Sequence, residues 1–245
     1  MDTINFVTFG DSKVYGQSVK RLEDQARSLG VFTDVWAWTE NDLAEDFRRQ
    51  HLHFMRYTRG FGYWIWKPKV ILQALEATPD NGFVVYADSG CEFNASPEAM
   101  TRLREYIEMA RNSKPGIMGF TLPFIERQFT KIETALEALG DTDIETFNTV
   151  MNSAQRVGGI NVWHKTPASM AFVREWLDIC TRDNYRFVTD EPSLYVNAPD
   201  FIEHRHDQSI FSILSKKYDI HVIPDETYHA DWHTKNWPIH AARIK

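Results

Sequence analysis

The sequence predicts an α/β protein built as a single domain, with a mostly parallel central sheet and helices on both faces. Short apolar segments rich in β-forming residues alternate along the chain with segments of helical periodicity, and this alternation is typical of parallel strands joined by helical crossovers. The chain has 245 residues, of which 43% are hydrophobic, and this is enough for one large core. We therefore expect residues 1–245 to form one domain.

The first half of the chain contains three predicted strands and four predicted helices. Gly30 follows the first helix in the position that favours a left-handed residue. Thr39 with Asp42 resembles a capped helix start, and Ser96 with Pro97 caps the last of these helices. The predicted strands are 4–9, 31–38 and 83–87, and the predicted helices are 17–29, Thr39 to about Tyr57, 64–77 and 96–112.

The second half is predicted to continue the alternation less regularly. Residues 123–155 are expected to be mainly helical and irregular, and the last 20 residues are aromatic and rich in histidine. The predicted strands are 116–122, 158–164 and 220–223, and the predicted helices are 166–180 and 207–218.

Composition excludes several classes of protein. The formal net charge of −7 argues against a nucleic-acid-binding face. No apolar segment approaches the roughly 18 residues of a membrane span, and the N-terminal ten residues lead almost directly into a strand, which leaves no room for a signal peptide. The two cysteines, Cys91 and Cys180, favour a reducing compartment, so a cytoplasmic protein is expected. Neither a dinucleotide fingerprint nor a P-loop is present.

One buried strand is predicted to deliver a carboxylate to the edge of the sheet where ligands bind. Residues 83–87 form a continuous apolar run, which is typical of a strand buried on both faces, and Asp88 and Ser89 follow it. In open α/β sheets, ligands lie outside the carboxyl ends of the strands, and Gly90 permits close approach of the backbone. An ordinary Asp-Ser-Gly turn explains the same residues.

Two other segments are predicted to border this edge. One is the end of the first strand, and the other is the segment 59–68, where glycines, aromatic residues and cations surround a helix start. Backbone amides at a helix start favour an anion, and aromatic faces can stack on a base or a sugar. An aromatic packing corner with solvated cations is the alternative. The candidate binding residues are Thr8, Phe9, Gly10 and Asp11 in the first segment, and Arg59, Tyr63, Trp66 and Lys67 in the second.

Polar residues near two later elements complete the candidate site. Gly158 and Gly159 lead into a strand and permit close approach of a ligand, although a β-bulge explains them nearly as well. His206, Asp207 and Gln208 precede an apolar helix. Asp207 either accepts a proton or contacts a sugar hydroxyl, or it is a first-turn acid or N-cap of the kind that any helix favours.

Histidines are concentrated near the end of the chain. Six of the nine lie between His204 and His240, in a spacing that matches no zinc-finger or HExxH pattern. A mixed His/Asp site for an ion such as Mn²⁺, with oxygen ligands from a substrate, is chemically reasonable. Solvated surface histidines explain the same pattern.

Taken in order, these motifs resemble those of glycosyltransferases with the GT-A fold, which use nucleotide-sugar donors. The sequence YADSG at residues 86–90 occupies the place of the Asp-x-Asp motif, but Gly90 replaces the second carboxylate. Asp207-Gln208 is similar to the Asp-Gln pair of glycogenin-like and bacterial galactosyltransferase-like enzymes. The tail HADWHTKNW is similar to a glycogenin-like tail motif, in which His229, Lys235 and Trp237 fall in register while the inner glycine and the proline are absent.

The resemblance implies an enzyme that moves a hexosyl or deoxyhexosyl unit from a nucleotide-diphosphate sugar, with a UDP-sugar favoured, to a hydroxyl of a glycan or other acceptor. Residues 1–122 would be the nucleotide-binding half, and residues 123–245 would carry the acceptor site and the tail. It implies a divalent ion, Mn²⁺ or Mg²⁺, held by Asp88 and His229, or by His233 in place of His229. Lys235 would bind phosphate, and Arg59, Lys67 and Arg243 are further cations that could neutralise the diphosphate. Asp207 would be the base or a positioning group.

Two other functions fit parts of the sequence. A nucleotidyltransferase that makes nucleotide-sugars shares the α/β sheet and the metal chemistry, but it usually has a glycine-rich loop with Arg or Lys after the first strand. Here that loop, Gly10 to Lys13, has one glycine and one cation, which disfavours this function. A non-catalytic carbohydrate-binding module would use the aromatic residues alone. Affinity for a nucleoside diphosphate separates the enzyme from the module.

Overall fold

The structure, a computed structural model, describes residues 2–56 and 59–244 and is built on a seven-stranded sheet. The path β2-β1-β3-β7-β5-β6 is extended by β8, which pairs with β5. Five of the strands (β1, β2, β3, β5 and β8) run in one direction, and β6 and β7 run in the other. The predicted α/β fold with a mostly parallel sheet is confirmed. The strands are β1 Ile4–Phe9, β2 Val35–Trp38, β3 Phe83–Ala87, β5 Ile117–Ile125, β6 Ala154–Arg156, β7 Ile160–His164 and β8 His221–Pro224; a separate antiparallel pair joins β4 Glu92–Phe93 to β9 Ile239–His240.

Both faces of the sheet are covered, because side chains of each strand alternate between two cores. On β3, Val84 and Tyr86 belong to one core, whereas Phe83 and Val85 belong to the other. Helices α4 (Trp66–Ala77), α9 (Pro167–Thr181) and α10 (His206–Lys217) cover the first face, and helices α1 (Gly16–Leu29) and α5 (Pro97–Asn112) cover the second. As the sequence predicted, β3 is continuously apolar because it is buried on both faces of the sheet.

The helices begin and end close to where their caps predict. Gly30 ends α1 with a φ of 64°, and the side chain of Ser96 accepts a hydrogen bond from Ala99 N at the start of α5. Thr166 and Ser169 form a reciprocal capping box at α9. The helices are α1 Gly16–Leu29, α2 Glu45–Met55, α3 Arg59–Tyr63, α4 Trp66–Ala77, α5 Pro97–Asn112, α6 Glu126–Phe129, α7 Ile132–Leu139, α8 Ile144–Met151, α9 Pro167–Thr181 and α10 His206–Lys217.

Several predicted boundaries shift. The second strand begins at Val35 rather than at residue 31, and α2 begins at Glu45, because Thr39 and Asp42 form a local turn before it. The predicted end of that helix at Tyr57 lies outside the described residues. The helix predicted from residue 64 begins at Trp66, because residues 60–64 all have positive φ and form a left-handed turn. No helix of the described residues is long and apolar enough to cross a membrane.

Helix α10 packs against α7 and α9 and holds the first-turn residues that face the candidate site. Phe211 lies at its centre, fully buried, with its ring 5.1 Å from that of Trp176 and 5.6 Å from that of Phe172. The placement of the first turn therefore depends on this aromatic cluster.

Removal of this aromatic anchor is expected to destabilise the whole domain. Phe211→Ala should lower the free energy of unfolding by about 3–5 kcal/mol, which is the usual cost of deleting a buried phenylalanine. Urea unfolding followed by circular dichroism measures the loss. Val14→Ala is the control, because this side chain is exposed and its change should stay within about 0.5 kcal/mol. A similar stability for both variants would contradict the assigned core.

Candidate active site

A cleft of about 980 Å³ opens where β3 ends. Its floor is formed by Asp88, which follows β3, and Gly159, which precedes β7. The first turn of α10 forms one wall, and segments of the C-terminal tail form another. This is the edge of the sheet at which the sequence places a ligand site.

The ammonium group of Lys67 lies between two carboxylates at the bottom of the cleft. Lys67 Nζ is 3.3 Å from Asp88 Oδ1 and 3.2 Å from Asp207 Oδ2, and only 4% of Lys67 is exposed. Tyr86 Oη donates a hydrogen bond of 2.6 Å to Asp88 Oδ1. Burial alone lowers the pKa of Lys67, but the charges of Asp207 and Asp88 raise it above its ordinary value. The lysine is therefore a permanent cation with two acidic partners.

Asp207 is a buried acid whose charge is costly. It is 3% exposed, and burial raises the pKa of its carboxyl group, Lys67 lowers it, and Asp88 raises it again, with a resulting pKa of about 6. The N-cap residue of α10 is Arg205, and Asp207 is an acid in the first turn of the helix, so the N-cap interpretation is wrong and the first-turn interpretation stands beside the functional one. Trp176 Nε1 donates to its carbonyl oxygen over 3.0 Å and fixes its backbone.

The paired glycines serve close contacts within the site. A Cβ at Gly159 would lie 2.6 Å from Asp88 Oδ2, and a Cβ at Gly158 would lie 2.9 Å from Gln208 Cβ. Asp88 N donates to Gly159 O over 2.8 Å. The glycines thus allow Asp88 and Gln208 to pack against the start of β7.

Gln208 is fixed by hydrogen bonds at both ends of its amide group. Its Oε1 accepts from Gly158 N over 3.3 Å, and its Nε2 donates to Gln155 Oε1 over 3.1 Å. Gln155 is fully buried and also accepts a 3.0 Å hydrogen bond from Arg205 Nη1. Gln208 and Arg205, which both line the cleft, are therefore held by one buried amide.

His206 is held between aromatic rings at the cleft wall. Its Nδ1 donates to Val188 O over 2.7 Å, and its ring centroid lies 4.9 Å from that of Tyr63 and 5.4 Å from that of Trp64. Burial lowers the pKa of His206, so the ring is neutral at pH 7. Its Nε2 has no hydrogen-bond partner in the part of the chain that the structure describes.

The left-handed turn at residues 60–64 explains the composition of segment 59–68. Gly60 is required because a Cβ there would lie 2.6 Å from the Trp64 ring. Trp66 packs on Phe9 at 4.2 Å and donates from Nε1 to Gly60 O, as an aromatic packing corner would. Trp64, Arg59 and Lys67 instead line the cleft, so the segment has a structural part and a part that faces the site.

The structure brings many, but not all, of the predicted residues to the cleft. Those that line it are Arg59, Lys67, Asp88, Gly159, His206, Asp207, Gln208 and His229. Those that do not line it are Thr8, Phe9, Gly10, Asp11, Tyr63, Trp66, Ser89, Gly158, His233 and Lys235. Lys235 pairs with Asp231 at 3.2 Å and lies over the ring of Trp237.

Two further arginines line the cleft, Arg205, which was not predicted, and Arg243, which was predicted only as one of several cations for the diphosphate. Arg205 directly precedes the predicted segment 206–208. Arg243 lies in no recognisable motif, and its place depends on the tail, which pairs β9 with β4 beside the end of β3.

Asp88 and His229, the two residues that were predicted to coordinate a metal ion, both line the cleft. Among residues 2–56 and 59–244, no group of three or more His, Cys, Asp or Glu side chains is arranged to hold an ion. Asp88 Oδ1 already has Lys67 and Tyr86 as partners. His229 Nε2 donates to Asp225 O over 3.1 Å, so only Nδ1 of this ring could bind an ion, and ligands beyond that nitrogen and the Asp88 carboxylate would come from a bound substrate.

Comparison with known proteins gives structural likenesses only, since no protein-family model and no curated protein matches the chain. A glycosyltransferase involved in the glycosylation of the major capsid of PBCV-1 is 11% identical, with a TM-score of 0.48 over 97% of this chain and 92% of that one. Mouse xyloside xylosyltransferase 1 is 10% identical, with a TM-score of 0.42 over 96% and 89%. The galactosyltransferase LgtC is 14% identical, with a TM-score of 0.41 over 93% and 74%.

All three of these structures are named as glycosyltransferases, the class that the sequence motifs resemble. At such identities and scores, the likenesses carry no information about the chemistry of this cleft.

The shared electrostatics of the two acids can be measured. In carboxyl ¹³C NMR, Asp207 of the wild type should titrate near pH 6. Asp88→Asn removes a like charge that raises this pKa, so Asp207 should titrate at a lower pH in that variant. Asp80→Asn, at a side chain that is 91% exposed, should leave the titration unchanged. A pKa of Asp207 that is unchanged or higher in Asp88→Asn would contradict the arrangement.

Proposed function

We propose that the protein is a glycosyltransferase that moves a sugar from a nucleoside-diphosphate sugar to a hydroxyl group of a glycan or another acceptor. The observation that carries this proposal is Asp207, a buried acid with a pKa of about 6 that lines a large cleft beside a cation. A pKa near the operating pH suits a general base, and buried acids with perturbed pKa values concentrate at functional sites.

The proposed reaction is a single displacement at the anomeric carbon of the donor. The acceptor oxygen forms a bond to this carbon as the bond from the carbon to the diphosphate oxygen breaks. The electron pair of the broken bond leaves with the nucleoside diphosphate, and the hydroxyl proton passes to the carboxylate of Asp207. A displacement of this kind inverts the anomeric centre, and Lys67 keeps Asp207 ionised and oriented before the proton arrives.

The donor is proposed to lie against the Asp88 side of the cleft. A nucleoside diphosphate carries negative charge, and the cleft contains Arg59, Arg205 and Arg243 besides the buried Lys67. The end of β1, at residues 8–11, borders the same edge of the sheet and remains a proposed contact for the nucleotide. We favour a UDP-sugar, and Trp64 offers an aromatic face to a sugar or a base.

The acceptor is proposed to enter along the opposite wall, where Leu122, Pro123 and Phe124 line the cleft. Phe124 lies under the guanidinium of Arg205, with Cζ 4.5 Å from the ring centroid. Aromatic and apolar surface next to fixed polar groups is the usual lining of a ligand site. Gln208 and His206 Nε2 are suitable partners for sugar hydroxyls.

A divalent ion would supply Lewis-acid neutralisation of the diphosphate, with Asp88 and His229 as the residues that would hold it. Because these two side chains alone do not complete a coordination sphere, the Mn²⁺ or Mg²⁺ remains a prediction and no step is assigned to it. A cytoplasmic location also remains a prediction; the two cysteines are free and buried, as expected in a reducing compartment.

A thermal-shift panel tests the donor class and the metal together. UDP-, GDP- and dTDP-sugars are each added with Mn²⁺ or with EDTA, to wild type, His229→Ala and His233→Ala. A true donor at 100 times its Kd stabilises by about 2.7 kcal/mol, which raises Tm by roughly 5–10 °C for a chain of this size. If Mn²⁺ participates through the cleft, its added shift should disappear in His229→Ala and persist in His233→Ala. The absence of a shift with every donor would refute the proposed function.

Loss of the Asp207 charge should abolish turnover without unfolding the protein. Asp207→Asn keeps the shape but cannot accept a proton, so kcat should fall by roughly 10²-fold or more. The wild-type rate should fall about tenfold per pH unit below pH 6, as Asp207 becomes protonated, and the variant should lack this dependence. Initial rates with the donor that the panel selects measure both effects, with Asp80→Asn as the control. Near-normal turnover in Asp207→Asn would remove Asp207 from the chemistry.

A further inference from the structure

The C-terminal tail brings an arginine into the cleft beside Gly90. Ala241 N donates to Thr227 O over 2.7 Å, and Ile244 N donates to Gly90 O over 3.0 Å. These backbone hydrogen bonds flank Arg243 on both sides, and Arg243 adopts a φ of 57°, which is rare for a residue with a side chain. The position of Arg243 is therefore fixed by its backbone, even though the residue itself is exposed.

Gly90 is the residue that permits this approach. A Cβ at position 90 would lie 3.1 Å from Arg243 Cα and 3.4 Å from both the Arg243 carbonyl carbon and Ile244 O. A carboxylate side chain at position 90 would need the volume that the tail backbone fills. The backbone of Arg243 therefore occupies the space that the side chain of a second acidic ligand at position 90 would need.

Arg243 differs from the other cations of the cleft in its partners. Lys67 is paired with Asp88 and Asp207, and Arg205 lies 3.4 Å from an oxygen of Glu203. Arg59 lies 3.9 Å from a carboxylate as well. Within residues 2–56 and 59–244, no carboxylate lies within 4.0 Å of the Arg243 guanidinium, which instead sits 5.2 Å from the ring centroid of Tyr228.

Two guanidinium groups act on each other across the cleft. Burial lowers the pKa of Arg205, Glu203 raises it, and the charge of Arg243 lowers it. Arg205 cannot move away, because it is bonded to Gln155 and packed 3.8 Å from the ring centroid of Phe129. An anion placed between Arg205 and Arg243 would relieve this repulsion. The open donors of Arg243 therefore point to an anionic ligand.

We infer that Arg243 binds the diphosphate group of the donor, and this inference rests on the proposed function. A guanidinium can donate two parallel hydrogen bonds to phosphate oxygens. When the bond between the anomeric carbon and the diphosphate breaks, the diphosphate gains one negative charge, and the acceptor proton goes to Asp207. Arg243 is placed to stabilise that additional charge on the leaving group.

Calorimetric titrations with uridine, UMP and UDP test the inference, with the corresponding guanosine or thymidine series used if the donor panel selects another base. They are run in EDTA on wild type, Arg243→Ala, Arg243→Lys and Arg104→Ala. Arg104 is an exposed arginine of α5 that does not line the cleft, so its replacement is the matched control. Arg243→Ala should weaken binding of the diphosphate by roughly 10- to 100-fold and leave the nucleoside nearly unaffected. Arg243→Lys should lose less, because it keeps the charge.

Each other outcome has a distinct meaning. Wild-type binding of the diphosphate that persists unchanged in Arg243→Ala overturns the inference alone. An equal loss for nucleoside, monophosphate and diphosphate shows that Arg243 supports the tail instead of the phosphate, and also overturns it. If wild-type binding requires Mn²⁺, the titrations are repeated with Mn²⁺, and an affinity for the diphosphate that is unchanged in Arg243→Ala overturns the inference. Failure of the wild type to bind any nucleoside diphosphate, with or without Mn²⁺, refutes the proposed function itself.

Discussion

The site depends on one ionic arrangement, the Lys67 ammonium enclosed between Asp88 and Asp207. A charge with 4% exposure is stable only when partners replace the water that it has lost. The three residues come from α4, the end of β3 and the start of α10, so the pairing can form only when these elements are correctly packed. The same contacts that compensate for the burial of the Lys67 charge hold an oxygen of Asp88 and an oxygen of Asp207 at 3.3 and 3.2 Å from Lys67 Nζ.

Asp207 carries a cost that its structural role does not explain. The pKa of its carboxyl group is about 6 in the folded protein, whereas the ordinary value of an aspartate is 3.8. Because the folded value is the higher one, the folded state takes up a proton as the pH falls between about 6 and 4, and the free energy of unfolding rises over that interval. At neutral pH the ionised form therefore destabilises the fold. A general base must be ionised, and the ionised form of Asp207 is the one that lowers the stability of the fold. Such a cost is typical of a functional residue.

The sequence was sufficient for the parts of the fold that depend on local pattern. Six of the seven strands of the central sheet, most helices and the edge with Asp88 follow from apolar runs, caps and the alternation of elements. Strand β6 overlaps a segment that was expected to be helical and irregular, and the short strands β4 and β9 were not predicted. The reversed direction of β6 and β7 did not follow, because alternation says nothing about which way a strand enters the sheet. The left-handed turn at residues 60–64 was not predicted either. Gly60 and Gly62 are compatible with positive φ, but the aromatic residues between and after them ordinarily avoid it.

The sequence predicted only some of the residues of the site and none of the contacts between them. Lys67, Asp88 and Asp207 were each suspected on separate grounds, but the contact that joins them spans distant parts of the chain and has no local signal. Gly158 and Gly159 were expected to leave space for a ligand, but a Cβ at either position would meet Gln208 or Asp88, and of the two only Gly159 lines the cleft. Arg243 was named only as one of several cations, because its place beside Gly90 depends on backbone contacts that the tail makes with Gly90 and Thr227.

The charges of the cleft also imply an order of events under the proposed function. A diphosphate that settles near Asp88 adds negative charge close to Asp207, and a neighbouring negative charge raises the pKa of an acid. A higher pKa makes the carboxylate a stronger base, provided that it is still ionised at the working pH. Lys67 opposes an excessive rise because it stays charged and in contact with Asp207. Donor binding would thus prepare the base before the acceptor arrives, with the buried lysine setting the limit of that change.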